Sequence, residues 1–203
     1  MKVVDHLHTS EPSISFEIIP PQRGENIDTL ETVIQDLVRF KPTFIDVTSH
    51  AGEEINQQGV GGPGVHPVLK KRRKRPGTLG ICALIQRKYL VDAVPHVRCH
   101  GFTKEETEDF LLDLHYVGIH NVLALQGDGG FKKANNQSNN QNNNQNNNQN
   151  NNQNNYAIDL VSQLRELHRG KYLSTGAGYP LDFCIGVAGY PEKHPAASSF
   201  ETD

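Results

Sequence analysis

Residues Asn121–Gly130 read NVLALQGDGG, and the fold follows from how that stretch is taken. Val122–Leu125 is a short continuous apolar run, which suits a parallel strand buried on both faces. The run ends in Gln126-Gly127-Asp128, so a carboxylate stands just past the strand's carboxyl end. In parallel α/β folds the chemistry sits at that end of the strands. Gly127 lets the backbone approach a ligand closely, and Asp128 would point into the site. The plainer alternative is a strand–turn junction with Asp128 capping the next helix.

Working upstream, Thr103–Gly118 is the clearest helix. Thr103 and Glu106 form a capping box, Phe110, Leu111, Leu114 and Val117 make one apolar face, and Gly118 can close the helix in a left-handed conformation. Only two residues then precede the Asn121–Leu125 strand. Ser13–Ile19 (SISFEII) reads as a strand stopped by Pro20-Pro21. Glu17 lies inside it, and a buried carboxylate there must be paired, neutralised or used; the other reading is an outward-facing surface residue. Ile27–Phe40 is a helix with Leu30, Val33, Ile34, Leu37 and Val38 on one stripe. Pro42 ends it, and Phe44–Thr48 (FIDVT) is a second strand.

Ser49–Val65 is expected to be a Gly-rich loop. Its Gly59–Gly64 segment (GVGGPG) follows no strand directly and lacks a Gly-Lys-Ser/Thr ending, so it reads as a flexible connection. Lys70–Arg75 (KKRRKR) fits either nucleic-acid binding or a solvated helix end or loop, and Pro76-Gly77 favours a surface turn. Thr78–Tyr89 is taken as a helix because a further strand candidate, Ala93–Cys99, follows it and parallel neighbours need a crossover. Within that strand His96 and Cys99 are three apart and His100 is adjacent, yet zinc needs three or four convergent ligands and no second cluster is near in sequence. A histidine at a strand's carboxyl end equally suits a hydrogen bond to a ligand.

Downstream, Asn135–Asn155 is all Asn and Gln apart from Ser138. It has no apolar atoms to offset its ordering entropy, so a disordered insertion is expected, tolerable because loop closure grows slowly with length. Such tracts also carry a β-aggregation risk. Ala157–His168 is a helix, with Leu160, Val161, Leu164 and Leu167 on one face and Gly170 as its stop. Tyr172–Pro180 is a loop, Phe183–Ala188 (FCIGVA) a buried strand, and Gly189–Pro195 (GYPEKHP) a polar cluster at its end. Ala196–Asp203 reads as the first turn of a helix.

The 203 residues carry a net charge of −3, which excludes a global polyanion-binding signature. No stretch approaches a membrane span, and Met1–Pro12 has no apolar signal core. Cys82, Cys99 and Cys184 are odd in number and widely spaced, so a disulfide framework is not expected and a cytoplasmic location is.

Strand and helix alternate five times, which requires parallel right-handed βαβ units. Glu17, Thr48, His96, Asp128, Tyr190 and His194 then gather on one face of a barrel. The chain resembles the methylenetetrahydrofolate reductase family. The resemblance rests on Phe16-Glu17-Ile18-Ile19-Pro20-Pro21, Asp46-Val47-Thr48, Val94-Pro95-His96, Leu125-Gln126-Gly127-Asp128 and Val187–Pro195 (VAGYPEKHP), in that order.

The resemblance implies an eight-stranded (β/α) TIM-type barrel with FAD at the strands' carboxyl ends. It implies reduction of 5,10-methylenetetrahydrofolate to 5-methyltetrahydrofolate with NADH or NADPH, and it leaves a homo-oligomer open. By the same resemblance Glu17 is the general acid that opens the folate's five-membered ring, and Asp128 the carboxylate that steadies the resulting cation; both touch substrate. Thr48, His96, Gln126, Gly127, Asp128, Tyr156, Ala188, Tyr190, His194 and Asp203 match FAD contacts. Gln126 stands where the family commonly has Arg: the amide can still hydrogen-bond, but its position has lost the charge. A general acid at neutral pH needs a pKa raised to roughly 6–7, which burial in an apolar strand provides.

A full barrel typically takes about 250 residues. The expectation is therefore a single partial barrel domain over residues 1–203, truncated after about five βα units, with an Asn/Gln-rich insertion at 132–155. Such a piece is expected to be unstable or inactive alone. Two other readings stand beside this one: a non-catalytic, RNA-associated or condensing protein acting through the basic run and the tract, and a barrel enzyme holding a metal through His96, Cys99 and His194.

Overall fold

The computed structural model describes residues 1–8, 12–50, 53–57, 68–72, 74–127, 152–194 and 197–202. Five strands form one parallel sheet: β1 (Ser15–Ile18), β2 (Phe44–Val47), β5 (Asp92–Arg98), β6 (Asn121–Leu125) and β9 (Cys184–Val187), in that spatial order. Sequential parallel strands joined by helices are the α/β arrangement of a (β/α) barrel. Two short antiparallel hairpins stand apart from it: β3 (Glu53–Gln57) with β4 (Val68–Arg72), and β7 (Lys171–Tyr172) with β8 (Gly176–Ala177).

Register assigns every strand residue to a face, because side chains alternate with period two. Ile18, Ile45, Val47, Ala93, Val97, Val122 and Ala124 share one face and are buried. The helices pack there: α2 (Ile27–Val38), α3 (Thr78–Leu84), α4 (Lys104–Tyr116) and α5 (Ala157–His168) contribute Leu30, Ile34, Ile81, Leu111, Leu114, Leu160 and Leu164 to the core. The other face carries Glu17, Asp46, Val94, His96, Arg98, Leu123, Leu125 and Gly186, and corresponds to the inside of a barrel.

Local chemistry explains the helix ends. On α4, Thr103 Oγ1 accepts from Glu106 N at 3.1 Å while Glu106 Oε2 accepts from Thr103 N at 2.7 Å, the expected capping box. Helix α3 continues through Ile85–Tyr89 as a π-helical turn closed by Leu90 in the left-handed region, so the expected helix over 78–89 is present in two geometries. The amino ends of the strands are covered by α1 (Val3–His6), which the sequence reading did not foresee. His6 Nε2 lies 2.7 Å from Asp92 Oδ2, and Val3 N donates to Asn121 Oδ1 at 2.8 Å. The opposite, carboxyl rim is left for ligands.

Three expectations need correction. The segment expected to be a loop from Ser49 contains strand β3, and part of the basic run lies in strand β4, not in a loop or helix end. The register explains why: Glu53 stands opposite Arg72 and Glu54 opposite Lys71. Pairing between two segments separated in sequence is a relation invisible when each is read alone. Gly59–Gly64 lies outside the described residues. Second, the expected insertion at 132–155 ends earlier. The Asn152 backbone carbonyl accepts from Lys104 N at 2.8 Å, and the buried Asn154 side chain donates to Gln163 Oε1 at 2.7 Å, so the tract's end is held to α4 through its backbone and to α5 through a side chain. Residues 128–151 lie outside the described residues. Third, among the described residues of the expected closing helix turn only 200–202 are helical, as a 3-10 turn.

Candidate functional site

Because the strands are parallel, their carboxyl ends share one rim, and register decides what projects there. Glu17 and Asp46 are direct partners across β1 and β2. His96 follows on the same face of β5, one alternation beyond Val94, the partner of Asp46. Thr48 continues that face past the end of β2. Its backbone N–H and Oγ1 both donate to Ile18 O, at 3.0 and 3.2 Å, which ties the ends of β1 and β2 together.

The first correction within the site concerns Glu17. It is exposed, not buried among apolar neighbours. Strand β1 is the edge of the five-stranded sheet, so only Asp46 on one side flanks it in register. Burial instead falls on Asp46, a residue the sequence reading treated only as part of a motif. Its carboxyl is pushed up to about 6, first by burial and then by the neighbouring Glu17 charge. The signal was available: like Glu17, Asp46 is a carboxylate inside an apolar strand.

His96 is buried, and its Nε2 has no hydrogen-bond partner among the described residues. Burial lowers its pKa, the Glu17 charge opposes that shift, and His50 adds to it, so the ring is neutral at pH 7. A buried, unpartnered ring nitrogen facing the rim calls for a polar ligand atom. His96 and Cys99 point to opposite faces, as an odd spacing along extended chain requires. Cys99 Sγ donates to Tyr156 O at 3.2 Å on the helix side. Among the described residues no group of three or more His, Cys, Asp or Glu is placed to hold a metal ion.

At the end of β6, Gln126 Nε2 donates to Asn155 O at 3.2 Å, and Gly127 has φ +84°. This places Tyr156, the first residue after the tract, beside the β6 rim, with 62% of its surface exposed. Beyond β9, Ala188 is exposed, and Tyr190 and His194 pack edge-to-face with ring centroids 4.8 Å apart. The structure thus brings Glu17, Thr48, His96, Gln126, Gly127 and Tyr156 to the shared rim, with Ala188, Tyr190 and His194 following its last strand. Asp128 and Asp203 lie outside the described residues. The sequence reading also passed over Arg98, a buried cation on the same face as His96. A cleft at the rim is lined by Ser49, His50, Thr78, His96, Arg98 and Phe102, among others.

The family model described as methylenetetrahydrofolate reductase matches residues 2–203. Among curated proteins the chain is similar to the 5,10-methylenetetrahydrofolate reductase of Escherichia coli, 28% identical over 191 residues, covering 94% of this chain and 48% of that protein. The protein of the same name from Pectobacterium carotovorum is 27% identical over the same length and with the same coverage. Methylenetetrahydrofolate reductase (NADH) 1 of Arabidopsis thaliana is 29% identical over 199 residues, 96% of this chain and 27% of that protein. The chain spans about half the length of the bacterial relatives it matches.

Proposed function

This chain belongs to the methylenetetrahydrofolate reductase family, and on that premise we propose that it serves an FAD-dependent oxidoreductase reducing 5,10-methylenetetrahydrofolate to 5-methyltetrahydrofolate with NADH or NADPH. The observation that carries the reading is the common rim. Glu17, Thr48 and His96 share one face of three neighbouring strands, and the Gln126-Gly127 turn follows the carboxyl end of the fourth. In this reading residues 1–203 form a single partial barrel domain of a catalytic unit acting in the cytoplasm, interrupted by the Asn/Gln insertion.

The residues present suit a flavin cofactor. His96 offers a neutral, buried ring nitrogen, and Gly127 brings backbone to the rim where a side chain would intervene. Tyr190 and His194 add aromatic surface, and Thr48, Gln126, Tyr156 and Ala188 would add further contacts, joined by Asp128 and Asp203. Bound FAD would supply the two-electron chemistry that links nicotinamide oxidation to folate reduction.

The chain's own part is proton and charge management. The Glu17 carboxyl gives its proton to the folate nitrogen that departs as the five-membered ring opens, leaving a cationic iminium on the substrate. Asp46 shares the face with Glu17 and holds its own proton up to about pH 6, so it adds little negative charge beside Glu17 at mildly acid pH. Asp128, ionised, would lie where that iminium cation needs a counter-charge.

The test separates the two half-reactions. Glu17→Gln should leave flavin reduction by NAD(P)H within a few-fold of the unmodified protein. It should slow folate reduction by about 10²–10⁴-fold, the usual range for a lost general acid. Equal loss in both half-reactions, or none in either, would remove Glu17 from this role.

A further inference from the structure

The proposed FAD site has one conspicuous gap: Gln126 offers a neutral amide where the resemblance leads one to expect a cation. The geometry points to Arg98 as the replacement. We propose that the Arg98 guanidinium, set against Gly127, supplies the positive charge that binds the anionic part of the flavin cofactor. The proposal rests on the FAD reading above and adds a binding residue to it.

Four observations converge. Arg98 is the last residue of β5 and pairs in register with Leu125, so it stands beside the Gln126-Gly127 turn on the face that carries His96. Its side chain is buried, with 6% exposure, and lines the rim cleft. Nη1 donates to Ser49 O and Nη2 to His100 O, both at 3.2 Å, which fixes the guanidinium plane between the ends of β2 and β5. A Cβ at residue 127 would lie 2.7 Å from Arg98 Nε and 3.3 Å from Cζ. Gly127 therefore answers two demands at once, a left-handed backbone and the room for this guanidinium. Gln126 meanwhile is turned toward Asn155, holding the chain that re-enters after the tract.

The chemistry favours this placement. A guanidinium is planar and permanently charged, and its fork of donors matches the geometry of an anionic oxygen group. The flavin offers two targets, its anionic diphosphate and the N1–C2=O edge of the ring, an acceptor that becomes anionic on reduction. Both take charge-assisted hydrogen bonds. His96 Nε2, buried and unpartnered one alternation away, marks the same place as one that awaits polar ligand atoms.

The experiment measures FAD affinity of the full chain by fluorescence quenching, with the melting temperature of the cofactor-free protein as the control for folding. Arg98→Gln should weaken FAD binding about 10- to 100-fold, the range for a lost hydrogen bond to a charged group. Adding Gln126→Arg to that variant should recover most of the loss. Repeating the comparison with riboflavin, which lacks phosphate, separates the two targets: the effect vanishes if Arg98 holds the diphosphate and persists if it holds the ring. Unmodified protein that binds no FAD would overturn the functional reading itself. Unmodified protein that binds FAD, with Arg98→Gln within threefold of it, would overturn only the role of Arg98. If Arg98→Gln does not fold, Arg98→Lys and Arg98→Lys/Gln126→Arg take its place. The double variant should then bind FAD more tightly than the single, and no gain would overturn the proposal.

Discussion

Asp46 and Glu17 stand side by side across two parallel strands, and the cost of that arrangement depends on pH. Unfolded, Asp46 releases its proton near 3.8; folded, it keeps the proton up to about 6. Below the first value both states are protonated and Asp46 costs nothing. As pH rises between the two, the folded state binds more protons than the unfolded, so stability falls; above about 6 the full penalty is present. Asp46→Asn should therefore melt like the original protein below pH 4 and gain about 1 kcal/mol over it at pH 7, a figure already reduced for solvent screening of a half-buried group. Denaturant melts at the two pH values check this, and a gain that is the same at both would disprove the titration. Residue types were legible in the sequence at this scale, but burial was not. The carboxylate in β1 was read as the buried one, and the structure gives burial to its neighbour in β2 because β1 lies at the sheet's edge. Arg98 was overlooked for a related reason: only the pairing of β5 with β6 sets it beside Gly127.

Elements whose signals are local were readable almost to the residue. The Thr103–Glu106 box marks the start of α4, and the apolar run Val122–Leu125 marks β6. Thr103→Ala should lower stability by about 1 kcal/mol, since one orphan N–H loses its acceptor; Thr103→Ser should restore it, and urea midpoints would show both. Leu114 is fully buried on the same helix, and Leu114→Ala should cost about 2–5 kcal/mol by the same measurement. Elements formed by non-local pairing were missed. Neither EEINQ nor VLKKR looks like a strand alone, yet Glu53–Gln57 and Val68–Arg72 pair residue for residue. Long-range pairing has no periodicity for a sequence window to detect.

The sheet as a whole was foreseeable because each strand pairs with the previous parallel one, and a helix with a readable apolar stripe stands in each crossover. Closure of the amino-terminal end was not foreseeable, since α1 is only four residues long and is held by Asp92 and Asn121 far along the chain. One structural detail at this scale bears on how the gene can change. The carboxyl end of the Asn/Gln segment is fastened by contacts to residues outside it: Gln126 to Asn155, Lys104 to Asn152, and Gln163 to Asn154. The number of residues strung between Gly127 and that fastening is then nearly irrelevant to the rim, because halving or doubling a connection changes closure by only about 0.6 kcal/mol. Removing residues 135–150 should leave both the melting midpoint and FAD affinity within about that margin. Repetitive codons are prone to copying slippage, and a protein anchored this way can absorb such events in either direction. Copy number there can drift from one generation to the next while selection on the rim registers nothing.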